Sequence, residues 1–162
     1  MRTILFTGLV LLTLLLALPA AVSAADSDTV QVTGSIGLTM DVTAATDTIP
    51  FGSMVAGTDE TGNTVVTVVT TGSSWTVTAA DAKATNKGYM TTNADGSGKK
   101  LAGAFQISND ETTFSPLTSG YAFMSGSSAG TFTDTADVKQ TISAADSSGS
   151  YQITVTFTGS AS

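Results

Sequence analysis

The sequence predicts an all-β protein, an antiparallel β-sandwich of about seven to nine strands with an immunoglobulin-like or Greek-key arrangement. Three observations favour this class. Apolar and polar residues alternate with a period of two in several separate stretches. Turn-forming Gly, Asn, Asp and Ser residues separate these stretches. No window keeps a 3.6-residue period, and the best helical candidate, TAADAKATN (78–86), spans about two turns at most.

The N-terminal segment is predicted to be a secretory signal peptide covering residues 1–24. Met1 and Arg2 give a short cationic start, a long apolar run follows, and Val22 and Ala24 suit a cleavage site. Residues 25–162 then form a single domain, as their number suggests. We therefore expect a secreted, extracellular protein at a cell surface, with no membrane segment after signal cleavage.

The first element of the domain is the stretch VQVTGSIGLTMDV, from Val30 to Val42, which alternates with Gly34 as the only gap. It is much longer than the usual strand of about five or six residues. One interpretation is a strand that changes sheets at Gly34, because glycine permits a bulge. The other is an N-terminal arm (25–34) that completes the sheet of a neighbouring subunit, with Val30, Val32 and Ile36 as the partner-strand residues.

The remaining strands follow in order along the chain. They are predicted at NTVVTVVTT (63–71), SSWTVTA (73–79), KKLAGAFQIS (99–108), YAFM (121–124), DVKQTIS (137–143) and YQITVTFT (151–158). Their apolar positions predict a core made of Ile36, Leu38, Met40, Phe51, Val66, Val68, Trp75, Val77, Leu101, Phe105, Ile107, Ile142, Ile153, Val155 and Phe157. The chain has no Cys, so stability has to come from this core, from backbone pairing or from neighbouring subunits.

The composition excludes several classes of function. The net charge is −7, so the chain has no excess of positive charge to neutralise a row of phosphates. Nucleic acid is therefore not expected as a partner. With neither His nor Cys, the usual nucleophilic triads and His or Cys metal sites cannot form. The carboxylates lie in turn-like contexts such as TDET and NDET. We predict no enzyme, no catalytic residue, no cofactor and no metal site, while weak calcium binding between turns and O-linked sugars stay open.

The stretches SSWTVTAAD and YQITVTFTGSAS resemble secreted prokaryotic surface proteins of the WxL-domain type and related fimbrial-like sandwiches. In that family a Trp-x-Leu strand lies inside the domain and a Tyr-initiated strand closes it. Here the first motif reads Trp75-Thr76-Val77, with Val in place of Leu, and the second has Phe157 and Thr158 in place of Trp and Leu. The resemblance implies an extracellular, non-enzymatic β-sandwich on a microbial surface.

Two functions are consistent with these residues. The first is a secreted structural or cell-surface protein that acts by self-association or envelope contact, such as a filament or sheath subunit, with a homo-oligomer or a cell-envelope component as partner. The alternative is a carbohydrate-binding module in which Trp75, Tyr89 and Tyr121 stack on sugar rings. Under the first interpretation Trp75 is a core residue whose indole N–H finds a backbone acceptor.

Overall fold

The computed structural model describes residues 31–162, which contain no helix and eight strands in two antiparallel sheets. The predicted all-β sandwich class is therefore confirmed. The chain divides after Gly34 into two units, of which the first is described only at residues 31–34. The predicted signal peptide (1–24) and Val30 lie outside the described residues.

The strands form a larger sheet of five and a smaller sheet of three. In chain order they are β1 (Met40–Ala44), β2 (Asp59–Thr70), β3 (Trp75–Asp81), β4 (Gln106–Ser108), β5 (Ser115–Pro116), β6 (Tyr121–Gly126), β7 (Gly130–Thr141) and β8 (Val155–Ala161). The larger sheet has the order β1-β2-β7-β4-β5, and the smaller sheet has the order β6-β3-β8. The β2–β3 and β6–β7 connections therefore both pass from one sheet to the other.

The longest pairing in the molecule joins β2 to β7 along twelve residue pairs, from Asp59 opposite Thr141 to Thr70 opposite Gly130. Alternate residues of β2, including Val66 and Val68, are fully buried on the inner face. β-branched residues suit such a pleated, half-buried surface. This pair forms the centre of the larger sheet, and the smaller sheet packs over it.

The core lies between the sheets and matches much of the prediction. The buried apolar residues are Val66, Val68, Trp75, Val77, Ala79, Met90, Leu101, Phe105, Ile107, Leu117, Phe123, Ala136, Val138 and Ile142. Met40, Phe51, Ile153, Val155 and Phe157, also predicted, are partly buried against this cluster. Phe123 and Leu117 were not predicted, because the short strand and the loop that carry them show little alternation.

A long loop (82–105) between β3 and β4 is held in place by a buried ion pair. The Asp81 and Lys83 side chains, 3.4 Å apart, are almost inaccessible to solvent. The Asp81 carboxylate accepts hydrogen bonds from the backbone N–H groups of Lys83 and Gly88, while the Lys83 ammonium donates to the Tyr89 carbonyl. The predicted helical candidate (78–86) is wrong, because its first residues belong to β3 and the rest to this loop.

The predicted opening strand is corrected by the structure. It begins at Met40 rather than Val30, and Ile36 and Leu38, predicted to lie in the core, are exposed to 88% and 58%. The register explains this, since Met40 pairs with Thr70, the last residue of β2. After Thr70 the chain turns at Gly72 toward β3. Residues before Thr39 therefore have no part of β2 beside them with which to pair.

Other strand boundaries also differ from the prediction, among them those of β7, β4 and β8. β7 begins at Gly130 rather than Asp137, since Asp134 and Ala136 at inner-face positions weaken the apolar pattern there. Only the end of KKLAGAFQIS forms a strand, because Leu101 is buried as part of the long loop. β8 begins at Val155, since Gln152 instead pairs with Thr91 of that loop.

Candidate functional site

The segment before β1 is exposed and has apolar residues at alternate positions; we call residues 31–38 the exposed segment. Val32 is 90% exposed, and every residue from 31 to 38 is accessible to solvent. Among the described residues, the hydrogen bonds of this segment are at its C-terminal end: Thr71 Oγ1 donates to the Gly37 carbonyl, and Thr39 N–H donates to Thr71 Oγ1. Two of the predicted partner-strand residues, Val32 and Ile36, therefore present their side chains to water.

The larger sheet offers an unpaired strand edge at the first half of β7. On the side away from β2, β7 pairs with β4 only from Asp137 to Lys139. β4 ends at Ser108, and among the described residues no strand pairs with that side of β7 from Gly130 to Ala136. An open edge of this kind is a template for pairing with another chain.

The direction of the backbone groups along this edge follows from two hydrogen bonds. Ile142 N–H donates to the Thr58 carbonyl, so even-numbered residues at this end of β7 point toward β2. Thr135 N–H instead donates to the Asp134 carboxylate, on the other side of the strand. Because N–H and C=O groups alternate in direction along an antiparallel strand, the backbone groups of Thr131 and Thr133 also point to the open side.

A groove of about 890 Å³ runs between this part of β7 and strands β3 and β6 of the smaller sheet. Its apolar wall includes Trp75, Phe123 and Phe132, and the Trp75 and Phe132 ring centroids are 4.8 Å apart. The indole N–H of Trp75 donates to the Ser128 carbonyl in the β6–β7 turn. A side chain at Gly126 would overlap the indole ring, which explains the glycine at this position.

A second cleft of about 760 Å³ lies on the opposite side of the sandwich, below the 46–54 segment and residues 149–155. β8 and β1 pack closely beside this cleft: a Cβ at Gly159 would lie 2.5 Å from the terminal methyl of Met40 and 2.7 Å from Val42.

The three aromatic residues of the carbohydrate alternative do not present three open ring faces. Trp75 is 3% exposed and belongs to the core, with the backbone acceptor predicted for its indole. Tyr89 is half-buried, and the Lys100 ammonium lies 4.2 Å from its ring centroid. Tyr121 is also half-buried and donates its hydroxyl to Asn109. Trp75 is thus not available for stacking on a sugar in this structure.

The rim of the open edge is acidic. Burial raises the pKa of Asp137, and the carboxylates of Glu111, Asp134 and Asp110 raise it further. One carboxylate oxygen of Asp137 is buried without a hydrogen-bond partner.

Within residues 31–162, no three or more His, Cys, Asp or Glu side chains are grouped to hold a metal ion. Nor does this part of the chain contain a helix long and apolar enough to cross a membrane.

Sequence reasoning identified the alternation of residues 31–38, although it placed Ile36 and Leu38 in the core, and it missed the open edge. The alternation of Val32, Ile36 and Leu38 is visible in the sequence, whereas the first half of β7 was not predicted as a strand. A usable signal was present: GTFTDTADVK alternates Thr with other residues over its first seven positions. That pattern marks an outer face even where the inner face is not uniformly apolar.

The chain was also compared with known proteins. No model of a protein family matches it, and no curated protein matches it either. The resemblance to WxL-domain and fimbrial-like proteins, which rests on the stretches around Trp75 and Phe157, therefore stays a prediction.

Proposed function

We propose that this chain is a secreted, non-catalytic surface protein that acts by self-association, as a subunit of a filament or sheath. The observation that carries the proposal is the exposed segment, in which the apolar side chains of Val32, Ile36 and Leu38 are 90%, 88% and 58% exposed. An apolar segment with strand periodicity and open backbone groups is suited to strand addition at a sheet edge.

Burial of this segment's apolar side chains against a partner would be energetically favourable. Burying a Val, Leu or Ile side chain contributes about 1.5–3 kcal/mol relative to leaving it in water. Apolar residues scattered singly on a surface are ordinary, but here they repeat along one face of one segment. Pairing with a second copy would bury that face and satisfy the backbone groups of the segment at the same time.

The experiment compares the exported chain with a double variant, Val32→Ser with Ile36→Ser, by light scattering over a range of concentrations. We expect large assemblies from the parent and monomers from the variant, because the apolar face of the segment is lost. The matched control replaces the intervening residues, Thr33→Ser with Ser35→Thr, and should assemble like the parent. A monodisperse parent monomer at high concentration would exclude self-association.

The carbohydrate-binding alternative has less support, because Trp75 is buried while Tyr89 and Tyr121 are half-buried. It can be tested in the same samples by measuring retention on immobilised glycans. Retention that Tyr89→Ala or Tyr121→Ala removes, with assembly unchanged, would favour this function.

A further inference from the structure

We infer that the exposed segment of one copy adds as a strand to the open edge of β7, from Gly130 to Ala136, in a second copy. The inference rests on the proposed self-association and goes beyond it, since it names the acceptor. The added strand would take the place in the larger sheet that β4 leaves empty after Ser108.

The open edge has the backbone groups that a strand requires. Thr131 and Thr133 direct their N–H and C=O groups away from β2, and in the described part of the chain neither makes a backbone hydrogen bond on that side. At Thr135 the N–H is already bonded to Asp134, which marks one end of the free stretch. The exposed segment from 31 to 36 is free of backbone bonds to the described residues as well.

The side chains of the two surfaces also match by period. In a strand added to β7, residues of one parity face the groove and residues of the other parity face solvent. Val32 and Ile36 would then face the groove beside Phe132, which is only partly buried. Thr33 and Ser35 would lie on the outer face beside the exposed side chains of Thr131 and Thr133. The Thr-rich outer surface of the sheet would continue across the junction.

The length and the charge of the exposed segment also fit the open edge of β7. The open stretch of β7, from Gly130 to Ala136, and the exposed segment (31–38) are of similar length. The rim of the edge carries Asp110, Asp134 and Asp137, so an acidic segment would be repelled there. From Gln31 to Thr39 the chain has no charged residue, which makes this segment compatible with the rim.

The topology favours a second copy over the segment's own chain. Thr39 is bonded beside Thr71 at the far side of β2, and β7 lies beyond β2. Reaching the open side of β7 would mean crossing three strand spacings, about 14 Å, which uses about four extended residues. Within one chain the crossing would leave Ile36 and Leu38 outside the groove. A segment from another copy can place its whole length against the edge.

Disulfide trapping tests the inference, because the chain has no cysteine of its own. Ser35→Cys on the segment is combined with Thr133→Cys, and separately with Thr131→Cys, in the exported full chain under mild oxidation. All three side chains are exposed, so these replacements leave the core unchanged. The matched control combines Ser35→Cys with Thr158→Cys, an exposed threonine on the edge strand β8.

We expect a ladder of disulfide-linked oligomers from the Thr133 or Thr131 pair and only background from the Thr158 pair. Assemblies that form normally but cross-link at Thr158, or at none of these positions, would overturn the β7 acceptor while leaving self-association standing. Disulfides formed within single chains would overturn the exchange between copies. Absence of assemblies in the parent would exclude the proposed function, and the acceptor with it.

A second variant separates pairing from folding. Thr133→Pro removes an N–H that points to the open side, whereas the hydrogen bonds to β2 come from the even-numbered residues. We expect this variant to keep a cooperative thermal transition and to remain monomeric. A folded variant that assembles like the parent would overturn the inference. Phe132→Pro, which removes an N–H directed to β2, serves as the control that should impair the fold itself.

Discussion

The exposed segment (31–38) and the long loop (82–105) show opposite relations between sequence pattern and order. The exposed segment alternates with the regularity of a strand, yet its side chains are exposed, and its hydrogen bonds to other described residues are at its C-terminal end. The long loop has the Gly, Asn and Ser residues of turns, yet it contains the buried side chains of Met90, Thr91 and Leu101. Alternation therefore makes a segment able to pair, while burial depends on a partner being within reach.

The long loop has its partners within the domain. Asp81 and Lys83 fix its start, the Asn86 side chain donates to the Gly96 carbonyl, and Leu101 N–H donates to the Met90 carbonyl. The exposed segment has no such contacts before Gly37 among the described residues, because the strand it would continue along ends at Thr70. Substitutions of the same kind in the two regions should accordingly have very different effects on the free energy of unfolding.

The largest change in the free energy of unfolding is expected at the Asp81–Lys83 ion pair, which holds the start of the long loop. Asp81→Asn leaves the buried Lys83 ammonium without its counter-charge, which typically costs about 3–5 kcal/mol. Urea denaturation of the two proteins measures it. Asp41→Asn, on the exposed side of β1, is the control and should change stability by less than about 0.5 kcal/mol. Equal effects at the two positions would show that the ion pair does not hold the loop.

A smaller effect is expected from matched leucines in the two regions. Leu101→Ala empties a fully buried site and should cost about 3 kcal/mol, through lost transfer energy and a cavity. Leu38→Ala should cost less than about 1 kcal/mol in dilute, monomeric samples, because Leu38 is more than half exposed. A Leu38 cost as large as that of Leu101 would mean that the segment is packed in the isolated chain, which contradicts the comparison.

The smallest difference in stability is expected between alanine substitutions at two glycines. Gly88 in the loop has a φ of 76°, and a Cβ there would lie 2.5 Å from the Leu117 backbone. Gly88→Ala should therefore cost about 2 kcal/mol. Gly34→Ala has open space around it and should stay within about 0.5 kcal/mol of the parent. Thermal unfolding monitored by circular dichroism resolves this difference, and a destabilising Gly34→Ala would indicate a constrained backbone at that position.

The fold class and most of the core were predictable from the sequence because strands that bury one face carry a period of two. Val66, Val68, Trp75 and Val77 were identified in this way. Phe123 lies where the register between β3 and β6 shifts, so simple alternation does not identify it as a core residue. The boundary of β1 was not predictable either, because it depends on where β2 ends.

The exposed segment and the open edge of β7 also differed in how far the sequence could predict them. Val32 and Ile36 could be named from the sequence because an unpaired strand keeps its pattern. The open edge of β7 could not, since it exists only because β4 ends at Ser108, and strand order is a property of the whole sheet. The types of residue along this stretch of β7 do not show whether its backbone groups are paired.

The position of Trp75 has a consequence for observing this protein. It is the only tryptophan of the chain, and its indole forms part of the wall of the groove beside the open edge. Each subunit thus carries its own optical reporter at the proposed acceptor. The indole is already only 3% exposed, so a strand entering the groove would be reported by a shift of the tryptophan emission as water leaves the groove, and occupied edges in a growing assembly could be followed without any label.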